Sequence, residues 1–380
     1  MISRKEYKED CYIVFAVMIQ YLLALLQECL IAIFRMPAEQ TTIYRVLLTA
    51  VPLTAAIIIA FKRRPVLFIV TYTIVLLVLC LNVVIFPHNS EVLIDDSLRF
   101  VLPVVIPSAL CLMTISSMEI VEKVVYKLSW ISVLFVAIYM VEYLRGRFVI
   151  DTYNMTFSYS VLLPMVSLYS HKGKLSKCVS VLLFFVVISI GSRGAAGIFL
   201  IYLIYDIVQR NKKLILPVLV LSIIFIVSLT DIVEYLASIG LKSRTITLLL
   251  EGNIDSLSER DYIYNEVVEK MKVSPMWGYG LWADRVILKN TDTYCHNIVL
   301  EILLNWGVIL GTIILICILF SVMYLYIRSN SEGRNIIVKY FCALIIPFMA
   351  SQSYLVDYKF SVFIAILFLH NKSMKLSLKD

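Results

Sequence analysis

Charge is scarce in this chain. Asp, Glu, Lys and Arg make up 16% of 380 residues, 61% are hydrophobic and the mean hydropathy is +0.89. A soluble domain carries about 25% charge and roughly 45–50% apolar residues, so a water-soluble globule is excluded and the chain reads as a polytopic membrane protein. Histidine is scarce too: four residues, scattered, which argues against a metal site. The eight cysteines contain no C-x-x-C, and most (Cys29, Cys80, Cys111, Cys178, Cys317, Cys342) fall inside apolar runs, so neither a disulfide framework nor a zinc site is indicated. Walker loop, dinucleotide fingerprint, serine nucleophile elbow and H-E-x-x-H are all missing. A site outside the membrane therefore has no visible access to nucleotide energy and needs an activated substrate delivered in the membrane; no cofactor is implied. Internal repeats, low-complexity tracts and a soluble domain are absent as well.

The net charge of +7 could suggest a nucleic-acid partner, but the basic residues sit at the ends of apolar runs, where they set topology instead. With about 20 apolar residues needed per helical span, candidate spans fall at 12–34, 43–61, 66–86, 98–115, 128–144, 155–170, 175–191, 194–209, 214–230, 298–327, 336–350 and 354–369. The first is too long for a signal-peptide core and is expected to be retained. Pro103 and Pro107 predict kinks in the fourth, tolerable where neighbouring helices cover the freed carbonyls. Every second connection is basic, from Arg4, Lys5 and Lys8 through Lys62-Arg63-Arg64 to Lys372, Lys375 and Lys379. Both termini are thus expected on the cytoplasmic side, with an even number of spans. The expected fold is all-α: about twelve transmembrane helices in one integral membrane domain covering residues 1–380.

One connection breaks the pattern of short loops. Residues 231–295 form a polar external segment far longer than the usual loop. Ser258 and Asp261 resemble a capping box, and the apolar spacing of Ile263, Val267 and Met271, with Tyr264 and Val268, predicts an amphipathic helix at the outer membrane face. Pro275 stops it and Gly278-Tyr279-Gly280 makes a turn.

Polar residues in and around the spans mark the candidate site. Cys295-His296-Asn297 heads the tenth span, and Asn297, Glu301 and Asn305, four apart, make one polar stripe on a helix. Such a stripe is costly in a membrane unless it faces a bundle interior or a wet cavity. His296 there could take a proton from a hydroxyl nucleophile, or be a hydrogen-bonded interfacial histidine. Gly307 and Gly311 read as a helix-packing pair. The topology also places Arg145, Arg147, Arg193, Arg244, Arg260 and Arg285 outside, against the charge bias. Arg193, in Gly191-Ser192-Arg193-Gly194, could grip phosphate oxygens beside free backbone N–H groups, or only snorkel. Arg260 heads the loop helix on the face of Tyr264, Val267 and Met271, and is either a phosphate contact or a solvated helix-end charge. The external carboxylates Asp231, Glu234, Glu251, Asp255 and Asp284 show no spacing that singles out a pair.

The order of these motifs, Ser-Arg-Gly at a span junction, a long external loop with Arg260 and Tyr262, then Gly-Tyr-Gly and His-Asn-x-x-Leu-Glu before a glycine-containing span, resembles the bacterial O-antigen polymerase and O-antigen ligase superfamily (Wzy/WaaL type). The resemblance covers the topology and roughly residues 190–311. Family members commonly have Trp after the loop Arg, where this chain has Tyr. The resemblance implies a GT-C-like bundle in the bacterial cytoplasmic (inner) membrane. It also implies metal-independent glycosyl transfer from an oligosaccharide on undecaprenyl diphosphate at the outer face. Arg193 and Arg260 would bind the diphosphate and His296 would serve as general base. Arg244 is a candidate third phosphate contact, and Asn297 and Glu301 are candidates for orienting His296. Membrane lipid and a chain-length regulator are the partners implied. Polymerase and ligase share the motif order. A lipid-linked oligosaccharide flippase would also have about twelve spans, but should carry charge along a central path. A passive scaffold would not explain the polar stripe.

Overall fold

The computed structural model describes residues 3–145, 155–190, 192–217, 220, 260–273, 276–288 and 294–377, and every regular element among them is helical. Helix α1 (Arg4–Phe34) starts at Ser3, whose hydroxyl accepts the Glu6 N–H at 3.1 Å. This Ncap bond satisfies one of the donors left open in a first helical turn. α2 (Ala38–Arg63) and α3 (Pro65–Ile85) follow, then a 3₁₀ turn at Pro87–Asn89 and α4 (Ser90–Asp96). A π-helical stretch (Ser97–Val105) leads into α5 (Ile106–Thr114). α6 (Met118–Leu144) is capped by Ser117. α7 (Met155–Ser170), α8 (Lys174–Ser189) and α9 (Arg193–Arg210) complete the first part. After it come α10 (Arg260–Val273), the short α11 (Ala283–Ile287), α12 (Ile298–Arg328), α13 (Ser331–Tyr340) and α14 (Tyr358–Ser377).

Each expected span that falls on described residues is helical, and 214–230 lies largely outside them. Among the described residues, six helical stretches are long and apolar enough to cross a membrane. α1 is central: its Ile13, Val14 and Val17 are fully buried among Leu112, Ile115, Val121, Val362 and Phe363 of α5, α6 and α14. α2, α3 and the later part of α12 instead expose Leu47, Val51, Ile69, Leu77, Ile316 and Phe320, the surface of a helix whose solvent on one side is hydrocarbon.

The expected kink at Pro103 and Pro107 takes the form of the π-helical stretch. In π register the Leu102 carbonyl would bond the nitrogen of Pro107, which has no hydrogen. Tyr72 of α3 donates its hydroxyl to that carbonyl at 2.8 Å, and Ser361 of α14 donates to the Val105 carbonyl at 2.7 Å. A neighbouring helix thus covers the acceptor that Pro107 frees.

At one end of the bundle Arg63 pairs with Asp10, which also takes the Ser116 hydroxyl, and Lys339 pairs with Glu122. α3 and α14 run from that end to the other, where α10, α11 and the head of α12 gather. There the apolar stripe of α10 is used for packing: Ile263 and Val267 are buried against Ala283, Leu288, Cys295 and Leu304, whereas Tyr262 points outwards.

Candidate functional site

The site is organised by a break in α12. Gly307 has φ 76°, ψ 167°, a backbone region open essentially to glycine, and the helix is interrupted there. Ile298–Trp306 is therefore a short helix of its own. The Val308–Arg328 limb, about 21 residues and roughly 31 Å long, suffices to cross a bilayer by itself. The expected polar stripe thus lies ahead of the break and not along a continuous span. Gly307 is also no helix-packing glycine. The turn at Met276–Gly280 crosses the chain at the break: the Tyr279 N–H donates to the Leu304 carbonyl at 2.9 Å and the Gly280 N–H to the Asn305 carbonyl at 3.1 Å. A broken helix leaves its last carbonyls without partners, and these two N–H groups supply them. A Cβ on Gly307 would overlap the Met276 carbonyl and sit 2.6 Å from the Gly278 nitrogen; one on Gly278 (φ 69°) would sit 2.8 Å from the Asn305 oxygen. The two backbones touch because neither residue has a side chain.

Two asparagines clasp the crossing turn from α3 and the following 3₁₀ turn. Asn89, fully buried, donates Nδ2 to the carbonyls of Tyr279 (2.7 Å) and Leu281 (3.1 Å), and Asn82 accepts the Leu281 N–H at 3.0 Å. Neither stood out in the sequence, because an Asn at the end of an apolar run reads as a boundary marker.

The turn delivers α11, which carries Asp284 and Arg285. Asp284 is 1% exposed; its Oδ2 accepts the Cys295 N–H at 3.0 Å, and burial pushes its carboxyl above the usual range. Arg285 pairs with Asp96 at the end of α4 and feels the charge of Glu301. Its guanidinium lies 6.0 Å from the Tyr294 ring centre, and the Tyr294 ring lies 4.0 Å from that of His296.

His296 has φ 54°, the left-handed conformation disfavoured for a side chain of this size. The neighbours on both sides hold it there. Cys295 is fixed by Asp284, and Asn297 caps α12 by accepting the N–H groups of Val299 (3.0 Å) and Leu300 (3.3 Å). Trp282 (φ 62°) and Gln352 (φ 71°) are strained in the same way, so three of the four non-glycine residues with positive φ among the described residues lie around this site. Such strain persists only where surrounding contacts over-determine it, and it collects at functional sites.

His296 Nδ1 is buried with no hydrogen-bond partner among the described residues. Burial, and then the nearby positive charge of Arg260, lower its pKa to about 4. The imidazole is therefore neutral at physiological pH, with a free ring nitrogen. Arg260 is half-buried at the head of α10, its Nη2 3.7 Å from the Met155 sulfur of α7.

The polar stripe ahead of the break faces the connection to α14. Glu301, fully buried, accepts the Ser353 hydroxyl and the Tyr354 N–H (3.3 Å); Asn305 donates to the Tyr354 hydroxyl at 3.3 Å and Trp306 at 3.0 Å. The Gln352 N–H in turn donates to the Tyr294 hydroxyl at 3.0 Å. Of the residues singled out from sequence, the structure brings His296 and Arg260 into electrostatic reach, while Asn297 caps the short helix that follows and Glu301 on it bonds Ser353 and Tyr354, neither of them partnering the His296 Nδ1. Arg193 opens α9, its side chain outside the described ones, and Gly194 lets the Tyr159 hydroxyl press against that helix. Arg244, the capping Ser258 and the carboxylates Asp231, Glu234, Glu251 and Asp255 lie outside the described residues.

No curated protein and no solved structure matches the chain. Residues 178–316, from α8 through the long connection after α9 to just beyond the break in α12, match the sequence model of the family described as O-antigen ligase. The matched stretch contains His296, Arg260, the crossing turn and Gly307, and it supports a likeness of this part of the chain to the O-antigen ligase and polymerase superfamily.

Proposed function

We propose that the protein is a polysaccharide polymerase of the cytoplasmic membrane, joining oligosaccharide repeats carried on undecaprenyl diphosphate at the membrane's outer face. The observation that carries this reading is His296, locked in a strained conformation with an unpartnered ring nitrogen and lying within the field of Arg260. In the reaction an acceptor sugar hydroxyl attacks the anomeric carbon of the donor chain. A new C–O bond forms, the bond from that carbon to the diphosphate oxygen breaks with its electron pair leaving on the diphosphate, and the hydroxyl proton passes to His296. Attack from the face opposite the leaving group inverts the anomeric configuration. Arg260, with Arg193 and Arg244, binds the diphosphate and offsets its growing charge.

The low proton affinity of His296 fits this order of events. A diphosphate on Arg260 offsets the cation that depresses the histidine, so substrate binding raises the base's affinity just before the proton must be taken. Chain length would be set with a separate regulator protein. The second reading is O-antigen ligase, which transfers finished chains to a lipid A-core sugar; the description of the matching family favours it.

The test is deletion of the gene in its host, with surface polysaccharide and lipid-linked intermediates sized on gels. Loss of the long-chain ladder, with single repeats still reaching the surface acceptor, is the expected result. Long polymer stranded on the carrier lipid would establish the ligase instead. Single lipid-linked repeats trapped inside would make the protein a flippase and remove the catalytic roles. In purified protein inserted at normal levels, Arg260→Ala and His296→Ala are expected to abolish transfer.

A further inference from the structure

Tyr294 stands out as a residue that the proposed chemistry does not use, yet three separate contacts converge on it. Its ring covers the His296 imidazole at 4.0 Å, with 36° between the planes. Its hydroxyl accepts the Gln352 N–H at 3.0 Å, from a residue itself held at positive φ. Arg285 lies 6.0 Å from its ring centre, within cation–π range. Arg285 is in turn anchored by Asp96, an ion pair that ties α11 to the end of α4. The connection that carries Gln352 is held one residue later, where Ser353 and the Tyr354 N–H bind Glu301.

A histidine with an unpartnered Nδ1 has nothing of its own to fix its ring orientation. Catalytic imidazoles are normally set by a hydrogen bond to the second nitrogen, and none is present here among the described residues. We propose that Tyr294, braced by Arg285–Asp96 on one side and the Gln352 backbone on the other, is the positioning residue that fixes the His296 ring. This tilted ring contact substitutes for the missing hydrogen bond: it restricts rotation about the imidazole's side-chain torsions without occupying either ring nitrogen. The stack also closes one face of the imidazole, so the acceptor hydroxyl must approach at the ring edge. This proposal rests on the reading of His296 as the base for its kinetic consequence, but the stack itself does not.

The experiment therefore has two arms. Protein labelled with ¹⁵N-histidine in lipid nanodiscs, compared with His296→Ala to assign the signal, reports the ring-carbon protons of His296. They are expected to be shifted upfield by the Tyr294 ring in wild type and Tyr294→Phe, and to lose that shift in Tyr294→Ala. In the polymerisation assay Tyr294→Ala is expected to lower kcat on the order of 10²-fold, the scale of a catalytic group misplaced by about an ångström. KM for the lipid-linked donor should be unchanged. Tyr294→Phe, which keeps the ring, should restore most of kcat, and Arg285→Gln should show an intermediate loss. An identical His296 spectrum in wild type and Tyr294→Ala would overturn the proposal, as would equal kcat losses in the Phe and Ala variants. A ring shift that behaves as expected in a protein whose His296→Ala variant is fully active would leave the stack standing and overturn the assignment of the base.

Discussion

Replacing Gly307 by alanine should separate the crossing turn from the short helix without unfolding the bundle. The added Cβ overlaps the Met276 carbonyl and approaches the Gly278 nitrogen to 2.6 Å, and both are backbone atoms that no rotamer change can move aside. The φ of 76° with ψ 167° adds strain of about 1–3 kcal/mol for a non-glycine residue. Relief requires the turn to lift away, which gives up the Tyr279–Leu304 and Gly280–Asn305 hydrogen bonds, at about 1 kcal/mol each net. Together these oppose docking by about 3–5 kcal/mol, which corresponds to at least roughly 10²-fold in the population of the assembled site. The effect should be local, because the buried residues that join α1, α5, α6 and α14 form a cluster that includes none of residues 276–281 or 304–307. We expect Gly307→Ala to insert and purify at wild-type levels, to lose about 99% of its transfer activity, and to become sensitive to protease near residues 276–288. Gly197→Ala is the control: a Cβ there meets nothing within 4 Å, so activity should be unchanged and α9 slightly stabilised. Wild-type activity and protease resistance in Gly307→Ala would refute the reasoning.

Asn89→Ala leaves two buried carbonyls without their donor and should cost about 2–3 kcal/mol of turn docking, read as the same protease sensitivity with a smaller activity loss. Asn297→Ala removes the cap of α12 and should lower stability by about 1 kcal/mol, measurable as a lower thermal midpoint in detergent. His296 binds its proton less readily in the folded protein (about 4) than an exposed histidine does (about 6.5). Between those values the unfolded chain holds a proton that the folded chain does not, so stability falls as pH drops from about 6.5 towards 4. His296→Gln should flatten that part of the stability curve. Arg260→Gln removes the second cause of the lowered value, so His296 should take up its proton at higher pH, read from its ¹⁵N-histidine signals in nanodiscs without any need for activity; an unmoved titration would mean that Arg260 does not act on His296.

The bundle was legible in sequence because its signal is composition: apolar runs of span length, punctuated by basic clusters, can be read without knowing what packs against what. His296 and Arg260 were singled out through motif order, and the helical face of Ile263 and Val267 was legible through spacing. What the sequence hides is contact between distant segments. Asn82 and Asn89 lie nearly 200 positions from the turn they hold, and no local pattern distinguishes them from other asparagines at helix ends. Arg285 looked like one more external arginine, because its role depends on Asp96 and Tyr294 meeting it from two other elements. Gly307 was misread because a four-residue spacing to Gly311 looks the same in a straight helix and in one that breaks between the two.

The crossing at Gly278 and Gly307 also bears on how the segment between α9 and α12 can change without destroying function. Sugar recognition would be altered most simply by exchanging that segment for one from a relative. Its exit from the core, however, is threaded through a backbone crossing whose halves belong to different stretches of chain. An exchange that carries in residues 260–275 alone leaves the crossing whole. One that extends through 276–281 must bring residues 304–307 with it, or the incoming turn will meet a helix cut to fit another. The segment is thus a replaceable cassette with a keyed joint, and chimaeras joined before residue 276 should function where those joined at about residue 285 fail.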